Sequence, residues 1–323
     1  MATMTRTRPI LRMAVPATLA VAIAAGCGGV PDDDSADTTT SAPADTTTSS
    51  VVDATTTSVP GDTTSSTAMP TTSTTTIDPV ELAAPEDLAQ AEVVETARAL
   101  VAQAATLAET VAAGGASEAD TQRYLDTSDA LDRYLAAVED EAARLELTSQ
   151  VPLVAQTPLT PYGVGPLRAG MTLAEAEAAS GLDIEDGNFV DFGGFCYFGS
   201  VDSQPDLLMI LVSPDLDPEN PTPVETPEEG IIGRVGLRGV GGEPTARTTP
   251  AGIGLGSTEA EVYETYGDDV RTEDHVYLED GHYLFEEPAH APDNGLAFFT
   301  DGETVENVYG GLRDIIGYVE GCA

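Results

Sequence analysis

Two stretches between residues 85 and 146 carry apolar side chains at the spacing of an α-helix. In each stretch the apolar residues recur after four and then three positions, which places them on one face of a helix. The pattern predicts two antiparallel helices that form a helical hairpin within residues 79–150. The apolar positions are Val93, Ala97, Leu100, Ala104, Leu107 and Val111 in the first helix, and Tyr124, Leu131, Leu135, Val138, Ala142 and Leu145 in the second, where polar Ser128 occupies the position between Tyr124 and Leu131.

The ends of both predicted helices carry local signals. Pro85 followed by two acidic residues suits a helix start, because proline fits the first turn and acids interact favourably with the positive end of the helix dipole. Gly114-Gly115 suits a helix end. Ser117 and Asp120, three residues apart, resemble a capping box at the start of the second helix.

After a proline-rich linker at residues 152–161, the chain from 162 to 323 divides into two similar halves, about 162–245 and 248–323. A constant offset of 86 residues relates matching positions in the two halves. We interpret the halves as two copies of one unit. The matching pairs are Gly170/Gly256, Thr172/Thr258, Glu175/Glu261, Gly181/Gly267 and Tyr197/Tyr283.

Each half is predicted to contain a short helix followed by an antiparallel meander of strands, so the fold class is α+β. The paired threonine and glutamate of each half form a T-x-x-E capping box, and a glycine ends each helix. Asp301-Gly302 is typical of a hairpin turn. The strand-like runs are Phe195–Phe198, Leu207–Val212 and Val235–Val240 in the first half, and Val276–Leu278, His282–Phe285, Leu296–Thr300 and Val305–Tyr309 in the second.

Two short motifs in these halves resemble the β-lactamase inhibitor protein family. They are the helix start Gly170-Met171-Thr172 and the closing hairpin Phe298-Phe299-Thr300-Asp301-Gly302. That family contains a tandem of helix-plus-sheet units, and the outer-membrane assembly lipoproteins of the SmpA/OmlA type carry a single related unit. The resemblance implies a tandem α+β fold over residues 162–323. Because the inhibitors grip an enzyme with a concave sheet, it also implies protein binding.

The N-terminus predicts export and lipid attachment. Three arginines precede an apolar run from Met13 to Ala25, which is shorter than the roughly 20 residues of a membrane span and fits a signal peptide. The run ends in Ala24-Ala25-Gly26-Cys27, which resembles the lipobox of bacterial lipoproteins. The resemblance implies a signal peptide at residues 1–26 and an extracytoplasmic chain anchored to the cell membrane by lipid on Cys27. An ordinary cleaved signal with an incidental cysteine is the alternative.

Residues 27–78 are dominated by threonine, serine, aspartate and proline. A segment with so few large apolar side chains cannot offset the entropy lost on ordering. We therefore expect a disordered stalk that holds the folded part away from the membrane. The same composition suits O-glycosylation.

The charge balance excludes some partners. The chain contains 55 acidic residues against 13 basic ones, all arginine, for a formal net charge of −42. Such a charge repels the phosphates of nucleic acids, and it excludes docking on anionic lipid through a basic patch. A solvated acidic surface is one interpretation of the charge, and divalent-cation binding is another.

With Cys27 assigned to lipid, two cysteines remain. Cys196 and Cys322 are an even pair in an oxidising compartment, and we expect a disulfide between them. It would join the sheet of the first half to the C-terminus. Two buried thiols are the alternative.

No catalytic or cofactor signature is found in the sequence. There is no G-x-S-x-G, H-E-x-x-H or C-x-x-C motif, so we predict neither an enzyme nor a cofactor. The three histidines lack the spacing of a zinc site. A calcium site is left open, because acids alternate as at the start of a calcium loop, although Asn220 replaces the required glycine. The histidines are His275, His282 and His290, and the acids are Asp215, Asp217 and Glu219.

The sequence favours a protein-interaction module. We expect the sheet to contact an unidentified protein partner through a surface that includes Tyr197, Tyr283 and Phe298, because interface cores are enriched in aromatic residues. A structural envelope lipoprotein without a discrete ligand is the first alternative. A sensor of a metal ion or small ligand is the second, and a deep pocket with convergent histidines and carboxylates would indicate it.

Overall fold

The computed structural model describes residues 76–184, 189–191, 196–215, 222–241, 243–267 and 270–319. The predicted signal peptide, Cys27 and nearly all of the predicted stalk lie outside these residues. Cys322, Asp217 and Glu219 lie outside them too. Within the described ranges, no helix is both long and apolar enough to cross a membrane.

The helical part contains three helices rather than two. A single 3-10 turn at Pro85–Asp87 precedes α1 at Gln90–Ala112, so the first helix begins later than predicted. The second helix, α2, spans Glu118–Ala136, and α3 spans Glu141–Thr148. Helices α1 and α2 pack together as the predicted hairpin around a shared apolar core.

The break between α2 and α3 comes from two capping contacts. The carboxylate of Asp140 accepts a hydrogen bond from the Ala143 amide at 2.9 Å and starts α3. The side chain of Gln90, at the start of α1, donates to the Ala137 carbonyl at 3.0 Å and accepts from the Glu139 amide at 3.1 Å. The new helix has a different phase, so Leu147 is buried instead of Ala142.

The two predicted helix-plus-meander units are confirmed. In the first, α4 at Leu173–Ser180 precedes β4 to β7; in the second, α5 at Glu259–Tyr266 precedes β8 to β11. All eight strands form one antiparallel sheet in the order β4-β5-β6-β7-β11-β10-β9-β8. The halves therefore lie side by side, joined through the last strand of each. The strands are β4 Phe189–Asp191, β5 Cys196–Val201, β6 Gln204–Val212, β7 Ile231–Leu237, β8 Arg271–Asp274, β9 His282–Glu286, β10 Asn294–Thr300 and β11 Val305–Leu312.

Both helix starts have the predicted capping box. The hydroxyl of Thr172 accepts from the Glu175 amide, and the carboxylate of Glu175 accepts from the Thr172 amide. Thr258 and Glu261 make the same two bonds at the start of α5. These local signals are sufficient because each cap involves residues only three positions apart.

Each helix start is also attached to the last strand of its own half. The Gly170 amide donates to the Ile232 carbonyl at 2.8 Å, and the Val305 carbonyl accepts from Gly256 at the same distance. Ile232 of β7 therefore corresponds to Val305 of β11.

The seam between β7 and β11 relates the two halves by symmetry. Counting along both strands from Ile232 and Val305, Gly236 of β7 corresponds to Tyr309 of β11, and these two residues are paired with each other across the seam. An approximate two-fold axis that relates the two halves therefore passes through the seam.

The match of Tyr197 with Tyr283 does not hold in the structure. Tyr197 packs in the main core with Leu173 and Ala176 of α4. Tyr283 lies in a separate cluster on the opposite face of the sheet. A difference of one residue in register is enough to move a strand side chain to the other face.

Three very short strands cover the centre of the sheet and were not predicted. They are β1 Leu159–Thr160, β2 Gly163–Val164 and β3 Leu167–Arg168, which form a small antiparallel sheet. The backbone approaches β11 so closely that a Cβ on Gly310 would lie 2.1 Å from the Thr160 carbonyl oxygen. The α+β part therefore begins before residue 162, and the end of the predicted linker belongs to the fold.

The opposite face of the sheet is covered at its centre by the C-terminal segment. A short helix, α6 at Arg313–Ile316, packs on β10 and β11. Arg234 of β7 is only 2% exposed and donates from Nη1 to the carbonyls of Ile315, Ile316 and Tyr318. Burial lowers the pKa of Arg234 to about 10, so the group stays charged at neutral pH.

The close packing of Gly236 against the Tyr309 ring at the seam predicts an effect on stability. A Cβ on Gly236 would lie 2.6 Å from the Tyr309 ring, so we expect Gly236→Ala to displace that ring and lower the free energy of unfolding by about 1–3 kcal/mol. Gly115→Ala is the matched control, because nothing lies within 4 Å of the added Cβ. Urea titration measures both. Equal stability of the two variants would contradict the close packing at the seam.

The second prediction concerns the disulfide partner of Cys196. Cys196 is disulfide-bonded, and its partner lies outside the described residues. Cys196 packs with Ile315 of α6 in one apolar cluster, which brings the C-terminal segment to β5. We expect non-reducing peptide mapping of the mature chain to find Cys196 linked to Cys322. A link between Cys196 and Cys27 would contradict both the pairing and the lipid assignment.

Candidate functional site

The predicted contact surface of Tyr197, Tyr283 and Phe298 is wrong, because all three side chains are buried. Their exposed fractions are 8%, 3% and 0%. The Tyr197 hydroxyl donates to the Glu225 carbonyl at 2.5 Å, and the Phe298 ring packs 5.4 Å from the Tyr266 ring in the main core. The aromatic side chains of the sheet therefore stabilise the fold instead of forming its surface.

The exposed apolar surface lies instead on the connection between β8 and β9. Val276 and Tyr277 are each 62% exposed and Leu278 is 42% exposed. These residues were predicted to form a strand, but they lie in a turn beyond the end of β8. We call residues 275–281 the hairpin tip. The other exposed large apolar side chains of the described ranges occur singly: Val80, Val190, Val240 and Tyr263.

The hairpin tip is held by hydrogen bonds at its base. The His275 amide donates to the Gly281 carbonyl at 2.9 Å, which closes the turn. The Nδ1 atom of His275 accepts from the amides of Tyr277 and Leu278 at 3.1 and 3.2 Å. The Val276 amide donates to the Tyr283 hydroxyl at 3.3 Å. The exposed side chains therefore project from a backbone with a defined conformation.

A continuous stack of side chains connects the hairpin tip to the centre of the sheet. The His275 and Tyr283 ring centroids are 4.4 Å apart, and Tyr283 lies 4.5 Å from Phe299. Phe299 lies 4.9 Å from Tyr309, and the guanidinium carbon of Arg234 is 4.0 Å from the Tyr309 ring. Aromatic and cation–π contacts of this geometry add stability beyond the area they bury. We call these five residues the side-chain stack.

The charge around the hairpin tip is negative. Asp274 at the end of β8 is exposed, and so are Glu279 and Asp280 within the tip, while Glu273 is ion-paired with Arg271 of the same strand. Acidic groups thus flank the three apolar side chains. Charged residues on an edge strand such as β8 also oppose pairing with the edge of another sheet.

The three histidines do not come together. His275 lies at the base of the hairpin tip, and His282 contacts Glu259 of α5 through Nδ1 at 2.8 Å. The backbone carbonyl of His290 accepts from the Tyr162 hydroxyl at 3.1 Å. In the part of the chain that the structure describes, no group of three or more histidine, cysteine or acidic side chains is arranged to hold a metal ion. Of the predicted calcium loop, only Asp215 among the three acids is described.

Comparison of the chain with protein-family models, with curated proteins and with solved structures finds no match. The resemblance to the inhibitor and outer-membrane assembly families therefore stays a prediction. The function of the hairpin tip has to be inferred from its own geometry.

The histidine at the base of the tip predicts a dependence on pH. Burial lowers the pKa of His275 below its ordinary value near 6.5, so the neutral ring that accepts two amides predominates at pH 7. Folding lowers the pKa of His275. The stabilisation of the tip by the neutral ring is therefore fully present at a pH above the ordinary histidine pKa, and it is lost as the pH falls through the lowered pKa. We expect the amide NMR signals of Tyr277 and Leu278 to move with the His275 titration.

A matched control lies in the β10–β11 turn. There the carboxylate of Asp301 accepts from the amides of Glu303 and Thr304, and these bonds lower the pKa of Asp301 below its ordinary value. Its amide partners should not move between pH 7.5 and 5. Tip amide signals that stay fixed while His275 titrates would show that its Nδ1 does not hold the tip.

Proposed function

We propose that this chain is a lipid-anchored, extracytoplasmic protein-interaction module that contacts its partner through the hairpin tip. The observation that carries the proposal is the exposure of Val276, Tyr277 and Leu278 on a backbone held by the side-chain stack. The class of function is the one expected from the sequence, whereas the contact surface is the hairpin tip instead of Tyr197, Tyr283 and Phe298.

The geometry suits binding for an energetic reason. Association costs free energy when loops and side chains must be ordered at the interface, and a preorganised loop reduces that cost. Tyrosine is among the side chains that contribute most when buried at the centre of an interface. Tyr277 is the largest of the three exposed side chains and lies between the other two in sequence. We therefore assign it the central contact.

The partner's chemistry follows from the shape and charge of the hairpin tip. Three adjacent apolar side chains fit an apolar pocket, whereas the acidic residues around them fit a basic rim on the partner. The formal charge of −42 adds a long-range attraction toward a basic protein. A lipid anchor on Cys27 and a stalk over residues 27–78 would present the tip to such a partner in the cell envelope.

A structural envelope lipoprotein without a discrete ligand is the competing proposal. It gives no role to the exposed tip and predicts no contact that is specific to it. The two proposals are separated by cross-linking from single positions.

Cross-linking tests the proposed contact in cells that produce the protein. We expect the full-length chain with photoreactive benzoylphenylalanine in place of Tyr277 to form one discrete cross-linked product after illumination. The same substitution at Val80, which is 77% exposed in the helical part, is the control and should not form that product. The partner in the product is identified by mass spectrometry.

With the partner purified, Tyr277→Ala should weaken binding by roughly 30-fold, the cost of removing a hot-spot side chain of about 2 kcal/mol. Val80→Ala should leave the affinity unchanged. Identical cross-linking patterns from positions 277 and 80, or no product from position 277, would favour the structural lipoprotein instead.

A further inference from the structure

A cleft of about 830 Å³ lies between the helical part and the α+β part of the molecule. One wall comes from the 3-10 turn, the C-terminal end of α2 and α3. The other comes from Tyr162, the end of β3, the start of α4 and the loop at residues 290–294. The volume is within the range of sites for small molecules, about 300–1,000 Å³.

Arginines are concentrated in this cleft. Beyond Cys27 the chain has ten arginines, since three of the 13 precede the cysteine. Three of these ten, Arg133, Arg144 and Arg168, line the cleft. Each of the three lies near a carboxylate that compensates part of its charge: Arg133 near Asp129, Arg144 near Glu141 and Arg168 near Asp132.

Arg168 is only partly satisfied. It is 8% exposed, and its Nη1 donates to Asp132 of α2, whose second carboxylate oxygen accepts from the Thr160 hydroxyl. Its Nη2 is buried and has no hydrogen-bond partner among the described residues. A buried donor without an acceptor destabilises the structure by about 1–3 kcal/mol, more for a charged group, so an acceptor from a ligand or an ordered water is expected here.

Arg133 is also incompletely bonded. Its Nε lies 3.3 Å from a carboxylate oxygen of Asp129 but forms no hydrogen bond among the described residues. Burial raises the pKa of Asp129, and it raises the pKa of neighbouring Glu286 to about 7 with a smaller contribution from the Asp129 charge. The Asp129 carboxylate beside Arg133 is therefore protonated more readily than an ordinary aspartate.

The remaining polar groups restrict the ligand. Burial, with the Asp132 charge, raises the pKa of Tyr162 to about 12, so its hydroxyl stays protonated beside Arg168. Acidic residues on the walls outnumber the arginines, which disfavours a ligand of high negative charge such as phosphate and favours one that also carries an ammonium group. These acids are Glu86, Glu139, Glu141, Glu175 and Asp293.

We propose that the cleft binds an amino acid or short peptide in its zwitterionic form, with the carboxylate accepting hydrogen bonds from Arg168 and Arg133. The acidic walls receive the ammonium group. This site is separate from the hairpin tip, and either proposal can fail without the other.

The test uses the full-length chain and the tripeptide Ala-Ala-Ala as probe. We expect saturable binding by calorimetry. The NMR signals of the His290 ring should shift, because His290 is the one histidine of the three that lines the cleft, while those of His275 stay fixed. The C-terminal amide of the tripeptide should bind at least about 10-fold more weakly, since it cannot make charge-assisted bonds to arginine. Inorganic phosphate should not compete.

Variants separate the site from general stability. Arg168→Lys keeps a charged partner for Asp132 but removes the second nitrogen, and Arg133→Gln removes the other donor. Each should weaken binding at least about 10-fold while the melting temperature changes little. Arg98→Gln, on the exposed face of α1, is the control and should not change the affinity.

Three results would overturn the proposal: equal affinity for the acid and the amide, wild-type affinity in Arg168→Lys, or no shift of the His290 signals at millimolar peptide. Each would mean that water alone satisfies Arg168 Nη2.

Discussion

The stack of side chains from Arg234 to His275 is the contact on which the rest of this structure depends. Arg234 lies buried at the β7–β11 seam and binds three carbonyls of the C-terminal segment. Tyr309, which contacts Arg234, is paired with Gly236, and the absence of a side chain at Gly236 leaves room for its ring. One row of contacts therefore joins the two halves, positions the C-terminal helix, and supports a loop at the far edge of the sheet.

Buried guanidinium groups perform a similar task elsewhere in the fold. Arg247, on the connection between the halves, is fully buried and bonds to Asp206 at 2.7 Å, to the carbonyls of Val154 and Thr157, and to Gln204. Because the guanidinium group forms hydrogen bonds from three of its nitrogens and one acceptor is a carboxylate, the charge is compensated in spite of its burial. Several of the few arginines in this acidic chain, Arg168, Arg234 and Arg247, are thus buried, and each joins segments that are distant in sequence.

Local signals were sufficient to predict part of this structure. The two capping boxes, Gly114 and the Asp301-Gly302 turn each involve residues within a few positions, and the structure has them as expected. The break between α2 and α3 was missed because the apolar spacing continues through it and the cap comes partly from Gln90 of another helix. Tyr197 and Tyr283 were taken as equivalent, yet a shift of one residue separates the faces they occupy.

The functional surfaces were harder to predict for the same reason. Val276 and Tyr277 are residue types that favour strands, whereas the structure places them in a turn held by the contacts of His275, Gly281 and Tyr283. The pairing of Arg168 with Asp132 joins residues 36 positions apart, so no motif marks it. The Arg168–Asp132 pair is a tertiary contact, and the spacing of residues along the sequence does not reveal it.

We expect the exposed apolar tip to be rigid in the free protein. Backbone amide order parameters from ¹⁵N NMR relaxation test it most directly, with the amides of β9 and β10 as the internal reference. We expect values of about 0.85 for Val276, Tyr277 and Leu278, as in the sheet. Values below about 0.6 would show a flexible loop that the side-chain stack does not hold, and would contradict a preorganised contact surface at the tip.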